Sequence, residues 1–189
     1  MHPYWLLVEP LGFALLVMPK CGANTVWAAI ARRLGYDITI PARIHEAVPG
    51  CRFVMTTTVR ERTDIMRYCI TRDPVDRIAS LWKNKCRDRT NGIPKELYGA
   101  TPDQLLKHIA RARFANHHWM PQATIEAGIA DKLIPIECFA QWWDDPIEKW
   151  NVTSGDVEVD STKVLALYAD DAALHRRSLE SYNGETLYA

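Results

Sequence analysis

Along the chain, short unbroken apolar runs alternate with stretches whose apolar residues recur at helical spacing. The first run, Phe13 to Met18, ends at Pro19 and has no polar side to turn toward water, which predicts a buried parallel strand. Val26, Ala29, Ile30 and Leu34 then share one helical face between Thr25 and Leu34, with Gly35 as the stop. A loop with Pro41 and Pro49 follows and holds His45 and Glu46. Phe53 to Val59 and Met66 to Thr71 are rich in β-branched residues and predict two more strands, and Val75, Ile78, Ala79 and Trp82 place a helix after Asp73-Pro74.

The polar, basic segment Lys83 to Lys95 contains Asn91-Gly92 and reads as a mobile surface loop. Thr101 opens a helix with Pro102 at its first position and Leu105, Leu106 and Ile109 on one face. Lys132 to Phe139 predicts a short strand, Trp142 to Trp150 is aromatic and acidic, and Lys163 to Arg177 predicts a closing helix. Neither internal repeats nor a linker interrupt the pattern. The expectation is one α/β domain over residues 1–189, with a central, mainly parallel sheet flanked by helices and a ligand crevice at the carboxyl ends of the strands.

Charge narrows the choice of ligand. Lys and Arg number 23 and so do Asp and Glu, so nothing global draws the chain to nucleic acid or to an anionic membrane. Anion binding must come from local placement of charge. The five cysteines are scattered and lack the paired spacing of zinc sites, so reduced thiols, no metal and a cytoplasmic setting are expected. The apolar segment Trp5 to Met18 is short and interrupted by Glu9, Pro10 and Gly12, and it predicts no signal peptide or membrane span.

Two turns carry the candidate chemistry. In Pro19-Lys20-Cys21-Gly22-Ala23-Asn24-Thr25, the N–H groups of Gly22 to Thr25 stand at a helix N-terminus, where the backbone and the helix dipole both favour a phosphate, and Thr25 adds a hydroxyl. The Walker pattern is absent, because no Lys-Ser or Lys-Thr follows a glycine. The bland alternative is a small-residue turn with a solvated lysine. In the second turn Arg72 leaves a strand end and Ser80 lies two helical turns on; a guanidinium fork and a hydroxyl suit phosphate oxygens. Its bland alternative is a helix start with Asp73 as cap, Pro74 behind it and Arg77 in solvent.

PKCGANTV and RDPVDRIASLW, in this order and about fifty residues apart, resemble the two nucleotide motifs of sulfotransferases that use 3′-phosphoadenosine-5′-phosphosulfate. The chain looks closest to the Golgi carbohydrate sulfotransferases and their bacterial relatives. Asn116-His117-His118-Trp119-Met120-Pro121-Gln122 is similar to that family's His-Trp-x-Pro-Gln segment, and Ile136-Glu137-Cys138-Phe139 sits where relatives carry a strand leading into a Phe-Glu pair. The resemblance covers roughly residues 13–175. It implies a P-loop-like fold and transfer of a sulfuryl group to a hydroxyl acceptor, a saccharide. The donor would be held by Lys20, Cys21, Gly22, Ala23, Asn24 and Thr25 at its 5′ side and by Arg72 and Ser80 at its 3′-phosphate. Lys20, ahead of the turn, would reach the bridging oxygen on which charge develops. Cys21, Ala23 and Asn24 depart from the family's usual Thr-Gly-Gly-Thr-Ser turn.

The acceptor's proton needs a base, for which His45, Glu46, His117 and His118 are candidates. The resemblance places a catalytic Glu or His in the loop after the first helix, which favours Glu46 and then His45 by position, while His118 matches the later motif by residue type. Trp82, Trp119, Trp142 and Trp143 offer faces for a base or a sugar, against the alternative of core packing. A P-loop kinase shares such a cradle but needs a lysine after its loop and Mg²⁺ ligands. A nucleotide-binding protein that has lost its base is the other rival reading.

Overall fold

The computed structural model describes residues 5–124, 127–145, 147 and 157–187. Five strands form one sheet in the order β3-β1-β2-β4-β5. They are β1 (Trp5–Val8), β2 (Phe13–Val17), β3 (Cys51–Val54), β4 (Met66–Thr71) and β5 (Lys132–Pro135). β2 pairs in parallel with β4, and β4 with β5, while β1 runs antiparallel to both β2 and β3. Four strands therefore share one direction and β1 opposes them. The helices are α1 (Ala23–Arg33), α2 (Ile44–Ala47), α3 (Thr56–Glu61), α4 (Pro74–Leu81), α5 (Pro102–Ala112), α6 (Phe139–Trp143), α7 (Ser161–Leu167) and α8 (Ala169–Ser181).

The interruption at Glu9-Pro10-Gly12, read above only as breaking an apolar segment, is the connection of a hairpin. Gly12 stands at φ 69, and β1 returns onto β2 with Trp5 opposite Leu16. Both strands are buried along their whole length. β3 ends at Val54, which pairs with Trp5, the first residue of β1, rather than running to Val59. The threonines that follow enter α3, which buries Val59. Local β-propensity yields here to a helical turn that brings Val59 into the core.

Three further expectations change. His45 and Glu46 lie on a short helix, α2, rather than in a loop. The segment read as a surface loop from Lys83 begins instead as a π-helical turn, Trp82–Arg87, which continues α4 and buries Cys86. Trp82 Nε1 donates to Ala100 O at 2.7 Å and Gly99 N to Cys86 O at 2.7 Å, which ties the turn to the chain ahead of α5. The closing helix is two helices, broken at Tyr168, whose buried hydroxyl donates to Trp119 O. β5 stops at Pro135, and the chain turns at once through a short 3-10 segment into α6.

One apolar cluster packs both sides of the sheet with α1, α6 and Leu174; a second joins α4, α5, α7 and Trp119. Trp119, Trp142 and Trp143 are core residues, at 1–2% exposure, and present no open face to a ligand. The aromatic stretch from Trp142 reaches beyond the described residues at Trp150. All five cysteines carry free thiols. Among the described residues no helix is long and apolar enough to cross a membrane.

Candidate active site

The chain leaves β2 toward β3 on one side of the sheet and leaves β4 toward β5 on the other. A parallel pair whose connections diverge opens a crevice at its carboxyl ends. Val17 pairs with Ile70 there, so the turns at residues 18–22 and 72–73 emerge side by side. They are the two turns the sequence singles out.

In the first turn Cys21 N donates to Met18 O at 3.0 Å, and both Lys20 (φ 69) and Gly22 (φ 80) adopt left-handed backbone. Gly22 has a second reason to be glycine, since a Cβ there would lie 2.7 Å from Ile136 Cδ1. Lys20 has no such freedom, and left-handed backbone at a residue with a side chain is a local strain. The first α1 hydrogen bond runs from Val26 N to Gly22 O at 3.0 Å, so the amides of Gly22, Ala23 and Asn24 come ahead of the helical ladder.

The Lys20 ammonium donates to Asn84 Oδ1 at 3.0 Å. Burial, followed by the neighbouring charges of Lys85 and Arg72, pulls its pKa down to about 8, with Asp88 opposing. Arg72 spans the two turns: its Nη1 donates to Lys20 O at 2.8 Å. Cys21 faces inward, fully buried, and its thiol donates to Gln122 Oε1 at 3.0 Å; burial raises its pKa to about 11. It therefore packs the turn from behind and brings no side chain to a ligand. Ser80 sits half-buried on α4, about one turn before Asn84.

Arg77 is not in solvent. It is fully buried, donates from Nε to Pro19 O at 3.1 Å and from Nη2 to His118 O at 3.4 Å, and faces Asp171 at 3.6 Å. Gln122, 1% exposed, accepts Arg72 N at 2.9 Å and donates to Arg72 O at 2.7 Å. Its carboxamide thus extends the β4 ladder past Thr71 as a neighbouring strand would. Asp171 accepts Gln122 N at 2.8 Å and Ala123 N at 2.9 Å.

The four candidate bases separate. The His117 and His118 rings lie 4.1 Å apart, and the chain around them is pinned by Asn116, which donates to Gly92 O at 2.9 Å and accepts His118 N at 2.9 Å. Burial first, then His117, Lys85, Lys20 and Arg77, drives the pKa of His118 down to about 3, and its buried Nδ1 has no hydrogen-bond partner. His117 shifts the same way, from burial and Lys85. Gly92 (φ 108) is the close neighbour of this pair: a Cβ there would fall 2.5 Å from His118 Nε2 and 3.4 Å from Lys85 Nζ. His45 and Glu46 lie elsewhere, beside the edge strand β3. His45 packs on Phe53 with centroids 4.9 Å apart and faces Glu46 at 3.7 Å. β3 stands two strands from β2, roughly 10 Å across the sheet.

Lys20, Arg72, His117 and His118 thus meet around one crevice, and Asn84, Lys85, Gln122 and Asp171 join them without having been singled out as ligands or supports. Asn84 and Lys85 had a signal in the continuation of α4 beyond Ser80. Asp171 had none beyond being acidic in the first turn of a helix. An open depression of about 400 Å³, lined by Ala140, Gln141, Asp144, Asp145, Gly184 and Thr186, is a separate feature. Asp145 pairs with Arg33, the last residue of α1, which places the depression at the opposite end of that helix from Gly22.

A family model described as the sulfotransferase family matches residues 9–142, which contain both turns and the Asn116–Gln122 segment. No curated protein and no solved structure is significantly similar to the chain.

Proposed function

The chain belongs to the sulfotransferase family, and from that premise we propose that it moves a sulfuryl group from 3′-phosphoadenosine-5′-phosphosulfate to a hydroxyl of a carbohydrate, within a P-loop-like fold. The observation that carries the reading is the placement of Lys20. Lys20 precedes the helix amides of Gly22, Ala23 and Asn24, its ammonium held by Asn84 and its carbonyl by Arg72 from the adjacent strand end. A phosphosulfate lying along the α1 N-terminus would bring its bridging oxygen toward Nζ and leave a 3′-phosphate to Arg72 and Ser80. Arg72 has donors to spare, since a guanidinium offers five and the hydrogen bond to Lys20 O takes one.

In the transfer, the acceptor oxygen bonds to sulfur as the bond from sulfur to the bridging oxygen breaks. That oxygen leaves on the 5′-phosphate with the electron pair, and the acceptor's proton passes to a base. Lys20 meets the charge where it develops. For the base we favour the His117–His118 pair over Glu46 and His45, because His118, 4.1 Å from the His117 ring, lies within electrostatic reach of Lys20 and the α2 residues flank β3. His118 is neutral at working pH and so able to accept a proton. Burial is the main cause of its pKa near 3, and the added part from Lys85, Lys20 and Arg77 is what an anionic donor would offset, raising its basicity when the donor is present.

The test is transfer of label from the donor to a panel of sugars and phenols, without added Mg²⁺, together with calorimetry of the bare nucleotides. Transfer to a sugar is expected, with 3′-phosphoadenosine-5′-phosphate binding at least about tenfold more tightly than 5′-AMP, the scale of a lost hydrogen bond to a charged group. Equal affinities would sink the donor assignment, transfer confined to phenols the carbohydrate acceptor, and a strict Mg²⁺ requirement would favour a kinase.

A further inference from the structure

The polar face of α8 does more than dock a terminal helix. Asp171, His175 and Ser178 are buried on it, an unusual choice for a helix whose packing could be apolar. The partners of Asp171 and His175 lie at the carboxyl ends of the strands that build the crevice, while the Ser178 hydroxyl has none. His175 Nδ1 is 3.1 Å from Thr71 Oγ1, the last residue of β4, and its Nε2 lies 3.8 Å from Glu137, just past β5. Asp171 reaches further, to both turns. One carboxylate oxygen accepts Gln122 N and the other Ala123 N, while the group faces the Arg77 guanidinium at 3.6 Å. Gln122 in turn holds the Arg72 main chain on both its N–H and its C=O and receives the Cys21 thiol. Arg77 holds Pro19 O, one residue before Lys20.

We propose that Asp171 is a positioning residue of the donor site, setting Arg72 through Gln122 and the Lys20 turn through Arg77. The proposal rests on the reading of Arg72 as the 3′-phosphate ligand. Asp171 also lies outside the segment that the family model matches, which ends at residue 142, so the brace comes from a part of the chain that the family match does not describe. A carboxylate is required by the geometry. It accepts two backbone amides and balances one guanidinium at once, whereas an asparagine would turn an NH2 group toward one of those donors. Gln122 would then lose its anchor, and with it the alignment of Arg72.

Calorimetry on Asp171→Asn tests this against Leu174→Ala, which removes an apolar side chain from the same helix without touching the network. The readout is the ratio of affinities for 3′-phosphoadenosine-5′-phosphate and 5′-AMP, which loss of stability alone does not move. In Asp171→Asn the ratio should fall about tenfold, as for a lost charge-assisted hydrogen bond, and in Leu174→Ala it should hold. An unchanged ratio in Asp171→Asn, or an equal fall in both variants, overturns the proposal.

Alkylation of Cys21, followed by peptide mapping, provides a second readout that needs no nucleotide. Release of Gln122 should speed labelling of the buried thiol several-fold in Asp171→Asn relative to Leu174→Ala. If the wild type fails to distinguish the two nucleotides, the donor assignment falls and this readout alone decides the brace: faster labelling upholds it and equal rates overturn it. Should Asp171→Asn not fold, Gln122→Met, which keeps the volume and removes the carboxamide, must lower the ratio and expose Cys21 in the same way.

Discussion

The two sides of the Lys20 turn treat buried polar groups in opposite ways. Behind it, Arg77, Gln122 and Asp171 are at most 1% exposed and, apart from Arg77 Nη1, which only faces the Asp171 carboxylate at 3.6 Å, their polar atoms hydrogen-bond to one another's segments, so that the network is as much a part of the architecture as the sheet. In front, Lys20 has one neutral partner, a strained backbone and a pKa near 8, and His118 keeps a buried nitrogen with no partner. A polar group that the protein itself satisfies stiffens the fold. One that it leaves short of partners costs stability and is available to a ligand.

The largest break in that contrast comes from the back. Arg77→Met leaves Asp171 buried opposite an apolar side chain, and removing one member of a buried pair costs roughly 3–5 kcal/mol. Denaturant unfolding should show a loss of that order, and a loss below about 1 kcal/mol would mean that the network is ornamental.

The front responds in the other direction. Lys20→Ala should cut sulfuryl transfer about a hundredfold or more while the folded protein gains stability. The gain has a pH signature. The folded pKa of Lys20 lies below its unfolded value of 10.5, so the cost of the buried ammonium is fully present below about pH 8 and fades as pH rises from there toward 10.5. The stability advantage of Lys20→Ala should shrink over that window. A variant less stable than the wild type at pH 7, with transfer intact, would remove Lys20 from both roles.

The smallest effect concerns His118. Its folded pKa, about 3, is depressed below the usual 6.5, so the unfolded chain takes up a proton first as pH falls. The stability that His118 contributes in its neutral form is complete above about pH 6.5 and is lost progressively between there and pH 3. His118→Gln should flatten the dependence of unfolding free energy on pH between 5 and 6.5. An unchanged slope would show that the imidazole is better solvated than its surroundings imply.

The order of strand, turn and helix around Lys20 and again around Arg72 was legible in residues 13–34 and 66–82, because an apolar run with no polar side and a helical repeat are local properties of the chain. So was the start of α5, where Thr101 and Gln104 form a capping box around Pro102. Pairing was not legible. Phe53 to Val59 has strand composition throughout, yet it leaves the sheet after Val54 and enters α3, which buries Val59. His45 and Glu46 had the right residue types for a base, but which candidate stands beside Lys20 depends on strand order, and β3 lies two strands away.

By itself, then, the sequence determined the local chemistry: which turns present backbone amides, a lysine and an arginine to an anion. The tertiary structure alone decided which of the remaining polar residues serve those turns. Asn84 and Lys85 arrive on a π-helical continuation of α4, His118 by a chain pinned at Gly92, and Asp171 from a helix that joins the crevice only when the sheet is assembled. Contacts of such long sequence separation leave no periodic trace in the chain, since each is set by where whole elements pack and not by any spacing within them.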